Sequence, residues 1–549
     1  MTSMKSETRR DFFRLAGAGV TGAALAGSAR TSPALAGPAG AETPRPIGRE
    51  DPRRDSVFSV RDFGASGDGK AIDTPAVNKA IDAAVAAGGG TVLFPAGTYA
   101  CFSIHLQSQI ELHLQRGATI VAAEGARYDA AEPKTAWDAY QDYGHNHWHN
   151  SLMWGEDLHD VSITGSGLIY GKGLSKGDGP GPKAEDPGVG NKSIALKNCR
   201  NVILRDFSIL QGGWFGILAT GVDNLTIDNL TIDTNRDGMD IDCCRNVRVS
   251  NCTVNSPWDD GICLKSSYGL GYARATENVT ITNCYVSGCW VLGSVLDGTW
   301  KQRGPGDHAY GTGRIKFGTE SNGGFINIAI SNCVFEGCQG LALETVDGAQ
   351  LEDVSITNIT MRNLVSAPLF LRLGARLRGP KESTKVGTLR RVNIGNIVCW
   401  NAPAKSCSIL SGIPDGSIED VSIHDVLIVS QGGGSAEQAA IQLPENEAKY
   451  PEPSMFGATP AYGFYVRHMK GLSMSNIRLK TENADARPAF YLEDVGGADF
   501  FRIQAQRSGG AAEFVLRNVE DFSVRYSEPV PDTRLPRAEN VTLPANQMA

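Results

Sequence analysis

Along most of the chain, short stretches alternate between apolar and polar residues, and each stretch is interrupted once by an extra Asn or Asp. Residues 201–209, 224–232 and 246–254 are the clearest copies. The pattern returns at 278–286, 327–335, 353–361, 392–399, 420–428 and 472–479, and faintly at 521–526. Alternation with period two describes strands with one buried face. The interrupting residue (Asp206, Asn229, Asn251, Asn283, Asn332, Asn358, Asn396, Asp425 or Asn476) turns the chain through a corner, because Asn and Asp tolerate the left-handed backbone such a corner needs. Side chains stacked at that position can also hydrogen-bond along an axis as a ladder.

Copies begin at Asn201, Asn224 and Asn246, 23 and then 22 residues apart. No helical pattern lies between them, which excludes βαβ crossovers, and the tight turns of a propeller or sandwich are missing. The repeat therefore predicts an all-β chain, a right-handed parallel β-helix of three-sided coils with rungs about 4.8 Å apart. Longer gaps, such as Asn278 to Asn327, mark loops inserted on one face. Before the first coil, the pattern predicts a capping helix from about Thr74 to Ala87, with Asp73 or Thr74 as N-cap and Gly88 as its stop. A solenoid needs such a plug over its open apolar end.

Upstream of this domain, Arg9 and Arg10 stand before an Ala/Gly-rich apolar stretch, and Ala34-Leu35-Ala36 offers a small-residue cleavage site. Residues 1–36 read as a twin-arginine signal peptide, implying the Tat export machinery as a partner and a periplasmic or secreted destination. Residues 37–56 read as a disordered leader, 57–530 as one β-helix domain and 531–549 as a C-terminal tail. Past the N-terminus no segment is apolar enough for a membrane anchor. Losing residues 1–36 removes five basic and two acidic side chains, taking the net charge from −8 to −11. A chain this acidic with no basic tract is a poor nucleic-acid binder. Of the twelve cysteines, Cys252, Cys284 and Cys333 occupy the repeat position held elsewhere by Phe207, Leu230 and Ile359, so they read as buried hydrophobes rather than disulfides. Cys101, Cys243, Cys244 and Cys407 stay undecided.

The acidic segment 235–266 carries the chemistry. Asp237 and Asp259 are separated by one repeat, 22 residues, and Asp260 follows directly. Stacked on adjacent rungs, three carboxylates cannot all ionise freely, so at least one pKa should rise. A neutral carboxylic acid beside an ionised one suits glycoside hydrolysis, where one donates a proton and the other activates water. A Ca²⁺ site and a solvated acidic turn are the competing readings of spacing alone.

The wording Asn235-x-Asp237-Gly238, followed one rung later by Asp259-Asp260-Gly-Ile-Cys-Leu-Lys265-Ser266, resembles glycoside hydrolase family 28, the polygalacturonases and rhamnogalacturonases. The resemblance runs from the cap at Asp62-Phe63-Gly64-Ala65 to about Ile359 and takes in Trp154, the segment 161–167 and Trp214. It implies an inverting reaction without a cofactor, with Asp259 as general acid and Asp237 and Asp260 as bases. Two family features are absent. Aligning Gly318-Thr319-Glu320 puts Gly313 where the family has histidine, and Ala342 and Glu344 replace the cations of its Arg-Ile-Lys clamp. Arg314 and Lys316 lie one coil early. Either they relocate a clamp for a uronate carboxylate, or the sugar is neutral and Glu344 binds its hydroxyls.

The expected substrate-binding residues are thus Lys265, Arg314, Lys316, Glu320, Glu344, Trp214 and Trp258, with no metal. The expected partner is a plant cell-wall oligosaccharide or polysaccharide, pectic and containing galacturonic acid or rhamnose. His145, His147 and His149, in a loop with Trp137, Tyr140, Tyr143 and Trp148, read as a sugar-stacking rim rather than a metal site, and His308 as an exposed loop residue. Loops 268–312 and 445–463 are long enough to wall the groove, which favours exo attack. A polysaccharide lyase or epimerase, and a non-catalytic carbohydrate-binding β-helix, remain the alternatives.

Overall fold

A computed structural model describes residues 56–142, 144–177, 183–304, 311–507 and 511–544. The signal segment, nearly all of the leader, Tyr143 and His308 lie outside the described residues. From Val57 to Arg525 the described residues form a right-handed parallel β-helix. Its strands pair in parallel from one coil to the next, as in Asp223–Asp228 beside Arg245–Ser250, Thr276–Thr282 and Phe325–Glu336. Each coil contributes inward Val, Ile and Leu to one continuous core, exemplified by Val249, Ile281 and Ile330 in a column.

The predicted corners are all left-handed, with φ from 53° to 71°. Each copy has a second such corner at its first residue (Asn201, Asn224, Asn246, Asn278 and Asn327), which the alternation concealed by making it look like a strand start. The longer ladder runs there: Asn201, Asn224, Asn246, Asn278 and Asn327 each donate from the side-chain amide to the preceding member, beginning at Asp160, over 2.7–3.2 Å. At the predicted position the chain of bonds breaks, because Asn251 turns to Asp228 instead of Asn229. Cys252, Cys284 and Cys333 are buried in the core, and all twelve thiols are unpaired.

The capping helix spans Thr74–Ala86 and seats Val77, Ala80, Ile81 and Ala84 on the first coil. Neither candidate N-cap side chain closes the helix. Asp73 accepts from the amides of Ser66 and Gly67, and Thr74 from that of Phe102, so both tie the helix to neighbouring loops. At the other end, the segment read as a tail contains a strand. Thr533–Leu543 pairs antiparallel with Phe514–Arg525, covering a strand edge that would otherwise present unpaired amides and carbonyls.

Because the apolar stack carries most of the stability, Ile281→Ala should cost about 2–5 kcal/mol, whereas Asn246→Ala, at an exposed corner, should cost only about 1 kcal/mol. Urea unfolding followed by circular dichroism measures both. An equal cost would make the corner ladder the dominant element.

Candidate active site

The site lies on the outward face of one sheet of the helix. Across successive coils the register Ala195–Leu218–Asp240–Cys263–Lys316–Ala342–Phe370–Ile409–Tyr465 sets one outward column. Its two ends are apolar and its middle polar, and loops seat on each apolar end. Trp148 packs with Ala195, Phe215 and Leu218 on one side. On the other, Leu443, Phe456 and Ala461 pack with Ala342, Phe370, Ile409 and Tyr465. The polar middle remains between them as the cleft.

Asp237 opens the strand Asp237–Asp242, and Asp259 and Asp260 precede Ile262–Ser266. Oxygens of all three lie within 4.8 Å of one another. The pairing differs from the expected 22-residue step. Met239 faces Ile262, and the Gly238 amide donates to the Asp260 carbonyl, so Asp260, not Asp259, stands level with Asp237. Glycine permits this approach: a Cβ on Gly238 would lie 2.4 Å from the carbonyl oxygen of Gly261, and one on Gly216 2.5 Å from that of Gly238.

The three acids sit in unlike surroundings. Burial, together with Asp259 and Asp240, pushes the Asp237 carboxyl well above its ordinary value. Burial and Asp260 raise Asp259 too, against the pull of Arg236, whose Nη2 donates to Asp259 Oδ2 over 2.7 Å. The Arg236 guanidinium lies over the Trp214 ring, 4.3 Å from its centroid. For Asp260, burial opposes ionisation, but Lys316, Arg314 and Lys265 together overcome it and hold the carboxyl down at about 2. Arg314 Nε donates to Asp260 Oδ1 over 2.8 Å, and Lys316 Nζ is 3.3 Å from Oδ2. Asp260 is therefore the carboxyl held most firmly ionised, while those of Asp237 and Asp259 are raised. The trio offers the carboxylate oxygens that suit a hard divalent cation, but such an ion would meet Arg314 and Lys316, the two cations already bound to Asp260.

Arg314 and Lys316 come together with the acids as expected, yet both are only 1% exposed. Ala342 is buried beneath the 443–461 loop rather than lining an open cleft. Glu344 is fully buried 3.7 Å from Lys316, and burial pushes its carboxyl up to about 8 despite Lys316 and Arg314. Lys265 and Glu320 form a buried pair at 3.1 Å. Arg378, from the turn that also contributes Arg376, donates to Glu320 over 2.7 Å. Trp258 stands at the surface with Arg303 over its ring.

Sequence reading missed Asp240 and Glu452, and it set His145 on a sugar-stacking rim, whereas the imidazole lies against Asp240 and Glu320. Asp240 is fully buried, its carboxylate 3.9 Å from Lys265 and 3.5 Å from His145. Its place was legible, since it lies two residues before Asp242 on the outward face of the acidic strand. His145 and Glu452 arrive from loops 95 residues upstream and 212 residues downstream of Asp240, and no local pattern could bring them there. Burial between cationic neighbours holds the His145 imidazole neutral, at about 3. Two members of the expected aromatic rim turn inward or aside: Trp148 is buried and donates to Thr220, and His149 lies tilted against Trp154, ring centroids 4.0 Å apart.

Comparison with known proteins places this geometry in a recognisable class. Residues 194–366 match the right-handed β-helix region family, and residues 57–121 match the family described as rhamnogalacturonase A/epimerase, pectate lyase-like. The chain is 24% identical over 390 residues to a probable polygalacturonase of Vitis vinifera, covering 67% of this chain and 74% of that protein. The exopolygalacturonase of Thermotoga maritima shares the fold with a TM-score of 0.54 and 18% identity, over 78% of this chain and 92% of that one. A shorter likeness, 64% over 44 residues, links 8% of this chain with 3% of a mannuronan C5-epimerase of Azotobacter vinelandii. Over most of its length the chain is thus similar to polygalacturonases at 24% identity or less, in keeping with the resemblance that its motifs bear to glycoside hydrolase family 28.

The raised Glu344 carboxyl makes a test of the buried charge. An acid whose folded pKa lies above its unfolded value adds stability below the unfolded value, near 4.3, and loses it as pH rises through about 8. Glu344→Gln should therefore match the wild type at pH 5 and melt higher at pH 9. A melting difference independent of pH would show that Glu344 is ionised throughout.

Proposed function

We propose that the protein is a glycoside hydrolase acting on α-glycosidic bonds of pectic oligosaccharides or polysaccharides containing galacturonic acid or rhamnose. The observation that carries this reading is the division of labour among the three aspartates. Asp260 is kept ionised by Arg314 and Lys316, and Asp259, raised by burial and by Asp260, is partly open to the cleft. Asp259 donates its proton to the departing glycosidic oxygen. Asp260 accepts a proton from the attacking water, and Asp237 holds that water in place.

Inversion is part of the proposal and rests on the resemblance. The aspartate oxygens approach within 4.8 Å, closer to the roughly 5–5.5 Å carboxyl separation of retaining enzymes than to the roughly 6.5–9.5 Å of inverting ones. Inversion here requires the water to be held by Asp237 and Asp260 together on the face away from the leaving group. Exo action is supported by the loops seated on both sides of the polar cleft, and the name of the Vitis relative supports a pectic substrate. Export by the twin-arginine route, supported by Arg9 and Arg10, would bring the domain to such a substrate outside the cytoplasm.

Incubation with a panel of plant cell-wall oligosaccharides, with products identified by mass and by proton NMR, tests this reading. New reducing ends of inverted configuration are expected. Absorbance from a 4,5-unsaturated uronate would establish a lyase instead, and retained configuration would overturn the assigned roles. Asp259→Asn and Asp260→Asn should each lower kcat by about 10²–10⁴ while binding persists; wild-type rates in either would remove that residue from catalysis.

A further inference from the structure

The segment Tyr450–Phe456 reaches over the cleft from far along the chain and delivers one carboxylate to its two buried cations. Glu452 accepts a hydrogen bond from Arg314 Nη2, and its Oε1 is 3.5 Å from Lys316 Nζ. Tyr450 completes the cover: its ring lies 5.3 Å from Lys316 Nζ, and its hydroxyl accepts from Thr319. Glu452 is not a chance surface contact, because the loop carrying it is fastened at its base. Arg372 donates to the carbonyls of Glu445 and Asn446, and Arg467 to those of Leu443 and Pro444. Phe456 is clamped beneath both guanidiniums against Phe370.

Charge balance gives Glu452 its meaning. Arg314 and Lys316 bring two positive charges into a buried space, and Asp260 supplies one negative charge. Glu344 stays protonated near neutral pH because burial outweighs its cationic neighbours. The second negative charge comes from Glu452, the one member of the group that is appreciably exposed, with 24% of its side chain open to solvent. Without it, a buried cation would lack its counter-ion, which is costly, and an Arg fork beside a Lys would be open to any carboxylate presented to it.

We infer that Glu452 occupies the position a substrate carboxylate would otherwise take on Arg314 and Lys316, so that the sugar held over these two residues is uncharged. This rests on the hydrolase reading for its substrate class, and it deepens that reading: the sugar at this subsite is a neutral one such as rhamnose or galactose, and Glu452 is a specificity-determining residue. The cations serve to keep Asp260 ionised rather than to grip a uronate.

Binding of free sugars to the full chain tests this without needing turnover. Titration calorimetry with D-galacturonate and with D-galactose, on the wild type, Glu452→Ala and Glu452→Gln, reads the two affinities. The wild type should bind galacturonate no better than galactose. Both variants should gain at least tenfold for galacturonate and change little for galactose, the gain falling with added salt. Glu452→Gln keeps the shape of the loop, so it answers the question if Glu452→Ala disturbs the fold. A gain that disappears in Lys316→Met/Glu452→Gln would assign the new anion site to these cations. Equal galacturonate affinity in wild type and Glu452→Gln, or a wild type that already prefers galacturonate, would overturn the inference. A chain that cleaves no pectic glycoside would defeat the hydrolase reading and leave this comparison of affinities intact.

Discussion

The structure depends on one constraint: every rung must hydrogen-bond in parallel register to the rung before it. Parallel pairing at a rung spacing of about 4.8 Å fixes which side chains stack over long stretches of the chain. An inward column must be apolar throughout, because each residue in it is sealed by the coils above and below. An outward column is free to vary, and its variation is where the chemistry lies. Asn ladders satisfy the corners of the same stack, so the corners repeat as faithfully as the core.

The outward column of the active sheet changes from Leu218 to Asp240 and from Lys316 to Ala342 within four steps. Those changes define the cleft. Apolar outward residues would be exposed on a bare solenoid, and here they are the seats of the loops that wall the groove. Ala342 illustrates the exchange. It stands where a cation was expected, and its small apolar side chain lets the 443–461 loop lie close enough to bring Glu452 to Arg314 and Lys316. Loss of the cation there and arrival of the carboxylate are two sides of one packing arrangement.

The acids depend on that arrangement for their unequal proton affinity. Burial alone would raise all three, as it does Asp237 and Asp259. Asp260 escapes because two cations from the next coil reach its oxygens directly. Those cations are held in turn by Glu452, and Lys265 by Glu320. The site is therefore a network of compensated buried charge, in which removing one partner strands another.

The sequence by itself determined the coil, one corner of each copy and the stacking of the three acids on one face, because each follows from a local period: two for the strands, about 22 for the coils; the cap came from its helix signals. It also placed Arg314 and Lys316 on the cleft face, since residues two apart on a strand point the same way. Where the period slips, sequence reasoning slipped with it. The single extra residue before Ile262 makes Asp260 the neighbour of Asp237, a change in register that spacing between motifs cannot reveal. What only the tertiary structure decided is what the cations face. His145 and Glu452 come from loops with no repeat to place them, held over the cleft by apolar packing and by the guanidiniums of Arg372 and Arg467. Local alternation encodes the direction in which a side chain points, while the partner it meets depends on contacts between segments far apart in the chain.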